Sequence, residues 1–248
     1  MLWLAIYLPQ LSLEALSLSE EQRQQPLAVM ALQDCQRCVL ASNAIALAAG
    51  VSPGMNLAAA LGLCPTLLWQ MQQGEAEAQV LQQTALWALA FTPTVSIDEA
   101  PGLLLEIGGC LAYFGGFELL QQQLWQGLLA LGFTPQLATA PNPAAAMLLA
   151  RAGVNGAPVE LSQLVTKLDV LPLTLLLSDR RRLEWLHGLG LRTVGDCRHL
   201  PRAGLSRRLG PGFLQMLDRL YGLLPDPRPL VVPPASFRQS IVLPYPVE

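Results

Sequence analysis

Ser96-Ile97-Asp98-Glu99-Ala100-Pro101-Gly102 is the most informative stretch of this 248-residue chain. Two adjacent carboxylates follow a β-branched segment, and the Pro-Gly pair leads into the apolar residues 103–107. Extended segments on either side of such a pair predict a β-hairpin, here with acid at its tip. Carboxylates at a hairpin tip bind divalent metal for phosphoryl chemistry when a further acid from another strand completes the oxygen ligands. The function of the hairpin therefore depends on that further acid.

The composition predicts a globular protein. Hydrophobic residues make up 52% of the chain and charged residues 13%, which excludes a disordered protein. No run of about 18 residues is free of polar interruption, and the first residues lack a basic flank, so the sequence predicts neither a membrane span nor a signal peptide. We therefore expect a cytoplasmic protein with no membrane partner.

The five cysteines, at positions 35, 38, 64, 110 and 197, form no even framework, which is typical of reduced thiols in the cytosol. Cys35 and Cys38 have the spacing of half a zinc site, but no second pair lies at a finger-like distance. We interpret them as packing residues or incidental thiols and expect no metal site there.

The net charge of −3 hides an asymmetry. Residues 1–178 contain four basic residues against 12 acids, a net charge of −8. Residues 179–248 contain 11 arginines against six acids, a net charge of +5. An arginine-rich segment on an otherwise acidic chain suggests an anionic partner, because the planar guanidinium binds pairs of phosphate oxygens; the alternative is a solvated helical face.

The order of predicted elements indicates the fold class. It runs through a strand over residues 2–8, a small mixed unit over 11–73, a helix over 75–90, hairpin strands over 94–98 and 103–107, a helix over 117–131 and a strand over 134–139. This is the split βαβ order of a ferredoxin-like sheet, which places the first strand beside the hairpin tip. A helix over 143–152, short helices over 161–224 and a stiff, proline-rich tail over 225–248 are expected to follow.

Two glycine turns in the helical region suggest phosphate contacts. Leu186-His187-Gly188-Leu189-Gly190-Leu191 has the pattern of a helix-hairpin-helix turn, in which glycines let backbone N–H groups approach a phosphate. A weaker copy follows at residues 207–213. The predicted DNA-backbone contacts are Gly188, Gly190, Arg192, Arg207, Arg208, Gly210 and Gly212. Glycine pairs also act as plain helix C-caps, so both interpretations stay open; His187 and His199 are expected at the turn and surface rather than as metal ligands.

Together these features resemble the Y-family translesion DNA polymerases over essentially the whole chain. The resemblance rests on the Ser-Ile-Asp-Glu-Ala hairpin, on Gly50-Val51-Ser52-Pro53-Gly54-Met55 in the mixed unit, and on the helix-hairpin-helix pattern. It implies an α+β fold: a ferredoxin-like palm (residues 1–10 and 74–155), inserted α/β fingers (11–73) and an all-α thumb (156–230). Residues 231–248 are then expected to be a linker toward a little-finger domain that this chain lacks.

The sequence departs from the active members of that family at five positions. The resemblance implies an aspartate at the end of the first strand, an aromatic sugar-selecting residue, a Tyr and an Arg that hold the incoming triphosphate, and a Lys that contacts it. By our alignment these positions hold Tyr7, Ser12, Ala44, Leu47 and Pro143. Only Asp98 and Glu99 remain of the carboxylates, so we predict a site without metal and without catalytic residues.

This set of losses resembles the non-catalytic homologue of the bacterial damage-inducible mutagenesis cassette. The resemblance implies an adaptor without cofactor that works with an ImuA-like RecA homologue, an error-prone DnaE-type polymerase, the sliding clamp and, through the thumb, DNA. The clamp peptide is expected beyond residue 248, because the clamp-like word Gln10-Leu11-Ser12-Leu13 is predicted to be buried.

Two other functions stay open. An active, Mg²⁺-dependent translesion polymerase would need a third ligand, for which Glu14 and Glu106 are the nearby candidates. A protein-interaction module without DNA binding is the other alternative. In a non-catalytic protein of either kind, with or without DNA binding, Asp98 and Glu99 are available to cap the hairpin turn.

Overall fold

A computed structural model describes residues 1–16, 19–33, 35–177 and 179–233. The strands are β1 (Trp3–Tyr7), β2 (Leu27–Gln33), β3 (Gln36–Ser42), β4 (Leu68–Met71), β5 (Val95–Ile97), β6 (Gly102–Glu106) and β7 (Gln136–Ala140). The helices are α1 (Leu11–Glu14), α2 (Glu20–Arg23), α3 (Ala44–Ala48), α4 (Leu57–Leu63), α5 (Gly74–Ala88), α6 (Phe117–Ala130), α7 (Pro143–Arg151), α8 (Leu161–Asp169), α9 (Arg180–Gly188), α10 (Val194–Arg198), α11 (Arg202–Leu209) and α12 (Pro211–Leu220), with a short 3₁₀ helix at Leu173–Leu175.

The palm is a four-stranded antiparallel sheet in the order β5-β6-β1-β7. One face of the sheet packs on α5 and α6 through the fully buried Leu4, Ile6, Leu120 and Leu124. Alternate residues point to opposite faces of a strand, so Ala5 and its cross-strand partners Leu104 and Ala138 face the other way, toward α7 and the thumb. The order and pairing confirm the predicted α+β, ferredoxin-like sheet.

The fingers are a separate sheet inserted between β1 and α5. Strand β2 pairs with β3 antiparallel and with β4 parallel, and α3 and α4 pack on the sheet. Asn43 and Asn56 cap these two helices by accepting the N–H groups of Ala46 and Ala59 at 2.9 and 2.8 Å. Each of these short helices buries one alanine, at 46 and 60, and most of its other residues are exposed.

The thumb is entirely helical and shares its core with the palm. The cluster that contains Ala5 and Leu104 of the sheet continues through α7 into buried leucines of α8, α9 and α12. At the junction, Asn142 caps α7 and also donates its amide N–H to the Leu220 carbonyl oxygen at 3.1 Å. This continuous packing sets where the end of α12 lies relative to the hairpin.

Two sequence expectations concern the chain start and its helices. Leu11 and Leu13 of the clamp-like word are 2% and 9% exposed, so the predicted burial of that word is confirmed. None of the helices in the described ranges has the length and apolarity needed to cross a bilayer.

Candidate functional site

The hairpin places Asp98 at its tip with both carboxylate oxygens occupied. The Asp98 N–H donates to the Gly102 carbonyl oxygen at 3.1 Å, which continues the β5–β6 ladder by one residue. Its Oδ1 accepts the N–H of Ala100 at 3.0 Å, so the side chain closes its own turn. Its Oδ2 accepts from Nη1 of Arg228 at 2.7 Å. Glu99, by contrast, is exposed.

Tyr7 lies in the row of the sheet that contains Asp98. Strand β1 pairs Tyr7 with Gly102 at the start of β6. On its other side, Gly102 accepts the N–H of Asp98. A Cβ at Gly102 would overlap the carbonyl oxygen of Ile6, so only glycine lets the strands approach this closely. The residue that shares the row with Asp98 on β1 therefore has no carboxylate.

Glu106 and Glu14, the two candidates for a third ligand, are engaged elsewhere. Glu106 pairs with Trp3, four residues along β6 from Gly102, or about 13 Å at 3.3 Å per residue. Its Oε1 accepts the N–H groups of Leu2 and Gly108 at 3.1 and 3.2 Å. Glu14 accepts the N–H of Thr134 at 2.8 Å, and burial raises the pKa of its carboxyl.

The remaining positions named from the family lie on three different helices. Ser12 is part of α1, and Pro143 is the buried first residue of α7. Ala44 and Leu47 lie on the exposed side of α3, where the Leu47 side chain is 47% exposed. The side chains of Ala44, Leu47 and Pro143 carry neither a charge nor a hydrogen-bond donor for a triphosphate, and Ser12 offers only a neutral hydroxyl.

The described residues do not fit a divalent metal at the hairpin. They contain no cluster of three or more His, Cys, Asp or Glu side chains able to hold a metal ion. Asp98 meets a guanidinium instead of a third carboxylate, and an arginine repels a cation. Cys35 is exposed in the β2–β3 turn, and the predicted surface positions of His187 and His199 agree with their exposure.

A cavity of about 560 Å³ lies between the hairpin, α7, α12 and residues 226–229. Its charged lining combines Asp98, Glu99 and Asp226 with the arginines at 151, 219 and 228, and the other lining residues are apolar. Asp226 and Arg228 were missed as site residues, because the sequence indicates only a proline-rich tail there. The one available signal was the acid-proline-arginine order in an otherwise apolar segment, and a separation of 130 residues from Asp98 hides its partner.

The first glycine turn of the thumb uses its backbone N–H groups to close α9. Leu189, Gly190 and Leu191 donate to carbonyl oxygens of residues 185–187 at 2.9 to 3.3 Å, and Gly190 has φ +81°. This is the pattern of a helix C-cap.

The N–H groups that follow this turn are also occupied. Arg192 and Thr193 donate to Oδ2 of Asp196, each at 2.8 Å, and these bonds lower the pKa of that carboxyl. The amides we predicted for phosphate therefore bond within the chain.

The second turn is more open. Gly210, with φ +89°, separates α11 from α12, and no side chain caps α12. The exposed Arg207 and Arg208 end α11 beside it, and the Arg208 guanidinium lies 5.7 Å from the ring centroid of Trp185. Arginine charge and an uncapped helix start lie together here, which suits an anion.

Several thumb arginines carry charge that no acid among the described residues neutralises. Within the described part of the thumb, the guanidinium groups of Arg192, Arg207 and Arg208 form no ion pair and are exposed. Arg198 and Arg202, in contrast, pair with Asp169 and Asp218 at 2.8 and 2.6 Å. The thumb therefore presents arginine outward while the palm hairpin binds its arginine inward.

Comparison with known proteins identifies the family. A family model described as the impB/mucB/samB family matches residues 11–151, more than half of the chain. Two curated proteins called Protein ImuB, from two strains of Caulobacter vibrioides, are each 33% identical over 174 residues. The match covers 70% of this chain but only 38% of each relative, so the chain spans much less than the length of these proteins.

Solved structures show the same fold. DinB from Sulfolobus solfataricus superposes with a TM-score of 0.71 at 15% identity, covering 92% of this chain and 69% of that one. A Y-family DNA polymerase chimera of Dbh and Dpo4 gives 0.72 at 16% identity, with 92% and 70% covered. The chain therefore belongs to the impB/mucB/samB family, is homologous to ImuB and has the fold of the Y-family DNA polymerases.

Proposed function

We propose that this chain is a non-catalytic adaptor in translesion DNA synthesis, which binds DNA and partner proteins without joining nucleotides. The state of Asp98 carries the proposal: one of its oxygens closes the hairpin turn, and the other bonds Arg228 at 2.7 Å. Two-metal phosphoryl transfer needs such oxygens on the metal ions. It also needs a carboxylate beside them, where this chain has Tyr7.

The missing groups normally contribute strongly to the rate of nucleotide transfer. Loss of contacts outside the metal's own ligands already costs about 10- to 100-fold in metal affinity or activity. Loss of a direct ligand together with the triphosphate contacts at Ala44, Leu47 and Pro143 adds to this. We therefore expect nucleotide transfer to be lower than in an intact site by several orders of magnitude.

The fingers support a role in protein binding. Residues 38–74 contain no Asp, Glu, Lys, Arg or His. On this segment Ile45, Leu47 and Leu63 are 42%, 47% and 52% exposed, which leaves an uncharged, apolar face. A triphosphate gains nothing on such a face, whereas an apolar protein surface is stabilised by covering it.

The partners we propose follow from the resemblance to the mutagenesis-cassette homologues: an ImuA-like RecA homologue, an error-prone DnaE-type polymerase and the sliding clamp. Leu47→Asp places a charge on the apolar face of the fingers, and we expect it to reduce co-purification of the DnaE-type polymerase at least tenfold. Leu119→Asp is the matched control, because Leu119 is 50% exposed on α6, away from the fingers. Equal co-purification of both variants and the parent chain would argue against the fingers as the docking face.

Primer extension tests the non-catalytic half of the proposal. The purified chain is incubated with primer–template DNA, nucleotides and Mg²⁺ or Mn²⁺, beside the variant Asp98→Ala. We expect neither protein to extend the primer. Extension by the parent chain that Asp98→Ala abolishes would establish the alternative, an active polymerase.

DNA binding separates the adaptor from a pure protein-interaction module. Exposed thumb arginines that form no ion pair within the described part of the chain favour DNA contact, because a basic surface that neutralises phosphates binds more tightly as salt is lowered. We expect binding to double-stranded DNA at low salt that weakens steeply between about 50 and 200 mM salt. No measurable binding at low salt to either single- or double-stranded DNA would favour the interaction module.

A further inference from the structure

The segment that follows the last thumb helix, residues 225–233, lies across the palm as a strap. Near its start, Oδ2 of Asp226 accepts the N–H of Ala144 at the beginning of α7, at 3.0 Å. Farther along, the N–H of Val231 donates to the carbonyl oxygen of Val95 at 2.8 Å, on the edge strand β5. Val231 also packs against the palm core. The strap is thus attached to the palm at two points, the start of α7 and the outer strand of the hairpin.

Arg228 lies at the centre of the strap between two acids. Its Nη1 is 2.7 Å from Oδ2 of Asp98, and its Nη2 is 2.8 Å from Oδ2 of Asp226. The side chain of Arg228 is 20% exposed, that of Asp98 10% and that of Asp226 5%. Charges that are removed from water to this extent are stable only when they are paired, and the guanidinium fork reaches both carboxylates at once.

We propose that Arg228 is the built-in cation of this hairpin: it stands where a divalent ion would meet Asp98, and it fastens the strap to the palm. The donor set supports this, because Asp98 has one oxygen on the turn and the other on the guanidinium. A divalent ion would have to displace Arg228, which would leave Asp226 and the strap without their partner.

The consequence is a second use for a polymerase carboxylate. Asp98 is an anchor that makes residues 225–233 part of the palm, with Arg228 on its carboxylate and Val231 bonded to the edge of β5. This inference does not need the adaptor role, since it concerns how the chain holds itself together.

Hydrogen exchange at the Val231 amide tests the strap directly. In the full 248-residue chain we expect Arg228→Met to speed exchange at that amide at least tenfold and to lower Tm by about 4–8 °C. Asp98→Asn is expected to act in the same direction, and the double variant to add little to either single one. Arg219→Met is the control. Arg219 lines the same cavity but forms no ion pair among the described residues.

Two further measurements keep the proposal open to refutation. If Arg228→Met folds poorly, Arg228→Lys keeps the charge but not the fork, and intermediate exchange at Val231 is expected. Mn²⁺ titration followed by electron paramagnetic resonance should show no binding that depends on Asp98 in the parent chain, and should show such binding in Arg228→Met. Unchanged exchange at Val231 in both Arg228 variants, or Asp98-dependent Mn²⁺ binding by the parent chain, would overturn the proposal, whatever the primer-extension assay shows.

Discussion

The palm hairpin and the second turn of the thumb use charge in opposite ways. At the hairpin, Asp98 and Arg228 neutralise each other in a place that is mostly closed to water. At the thumb, Arg207 and Arg208 extend into solvent beside an uncapped helix start, with no acid of the described residues paired to them. The contrast teaches that the acidic site has become part of the folded core, while the basic surface remains available to a polyanion.

The largest expected effect concerns the palm. Asp98→Asn leaves Arg228 with one carboxylate fewer in a poorly hydrated place, so we expect the free energy of unfolding to fall by about 2 kcal/mol. Glu99→Gln, at the exposed neighbour, should change it by no more than about 0.5 kcal/mol. Urea denaturation measures both, and equal effects at the two positions would remove the distinction between a buried anchor and a surface acid.

The next effect concerns the thumb. Replacing Arg207 and Arg208 together by Ala should weaken DNA binding about tenfold or more at low salt, because each removed phosphate contact lowers the salt slope by about one. Arg180→Ala is the control, since Arg180 is exposed but already pairs with Glu184 at 2.7 Å. Fluorescence anisotropy over a salt series measures the slope, and an unchanged slope in the double variant would show that the phosphates bind elsewhere.

A smaller effect separates the two glycines of the first turn. Gly190→Ala forces a side chain into φ +81° and should lower the free energy of unfolding by about 1 kcal/mol. Gly188→Ala lies in helical conformation with open space around it and should be neutral or slightly stabilising. Neither change should alter DNA affinity, because the amides of the turn already bond within the chain. A tenfold loss of DNA affinity in Gly188→Ala would restore the phosphate-binding interpretation.

The smallest effect is a pH dependence within the thumb. Hydrogen bonds from Arg202 at 2.6 and 2.9 Å lower the pKa of Asp218 below its usual value of 3.8. A carboxyl whose pKa is lower in the folded state stabilises the fold above its ordinary pKa, and this stabilisation is lost as pH falls through the folded-state pKa. The stability difference between the parent chain and Asp218→Asn should therefore shrink below about pH 4, as thermal melts at several pH values would show; a difference that stays constant to pH 2 would contradict it.

The fold was predictable to the level of element order. The apolar alternation of residues 2–8 and the spacing of Leu120, Leu124 and Leu128 indicate elements that the structure contains, with boundaries within about two residues in most cases. These patterns are local, because a strand or helix must place its apolar residues on one face. The predicted DNA contacts at Gly188 and Gly190 are still untested, although the turn amides bond to α9 instead of lying free.

The sequence by itself determined the α+β order, the Asp-Glu hairpin, the missing acid at Tyr7 and the excess of arginine in the last third of the chain, because each is a property of neighbouring residues or of composition. Only the tertiary structure decided which charges meet. Arg228 comes to lie 2.7 Å from Asp98 because the shared palm–thumb core brings the end of α12 back to the hairpin. A pairing across 130 residues depends on that packing, and no local pattern encodes it.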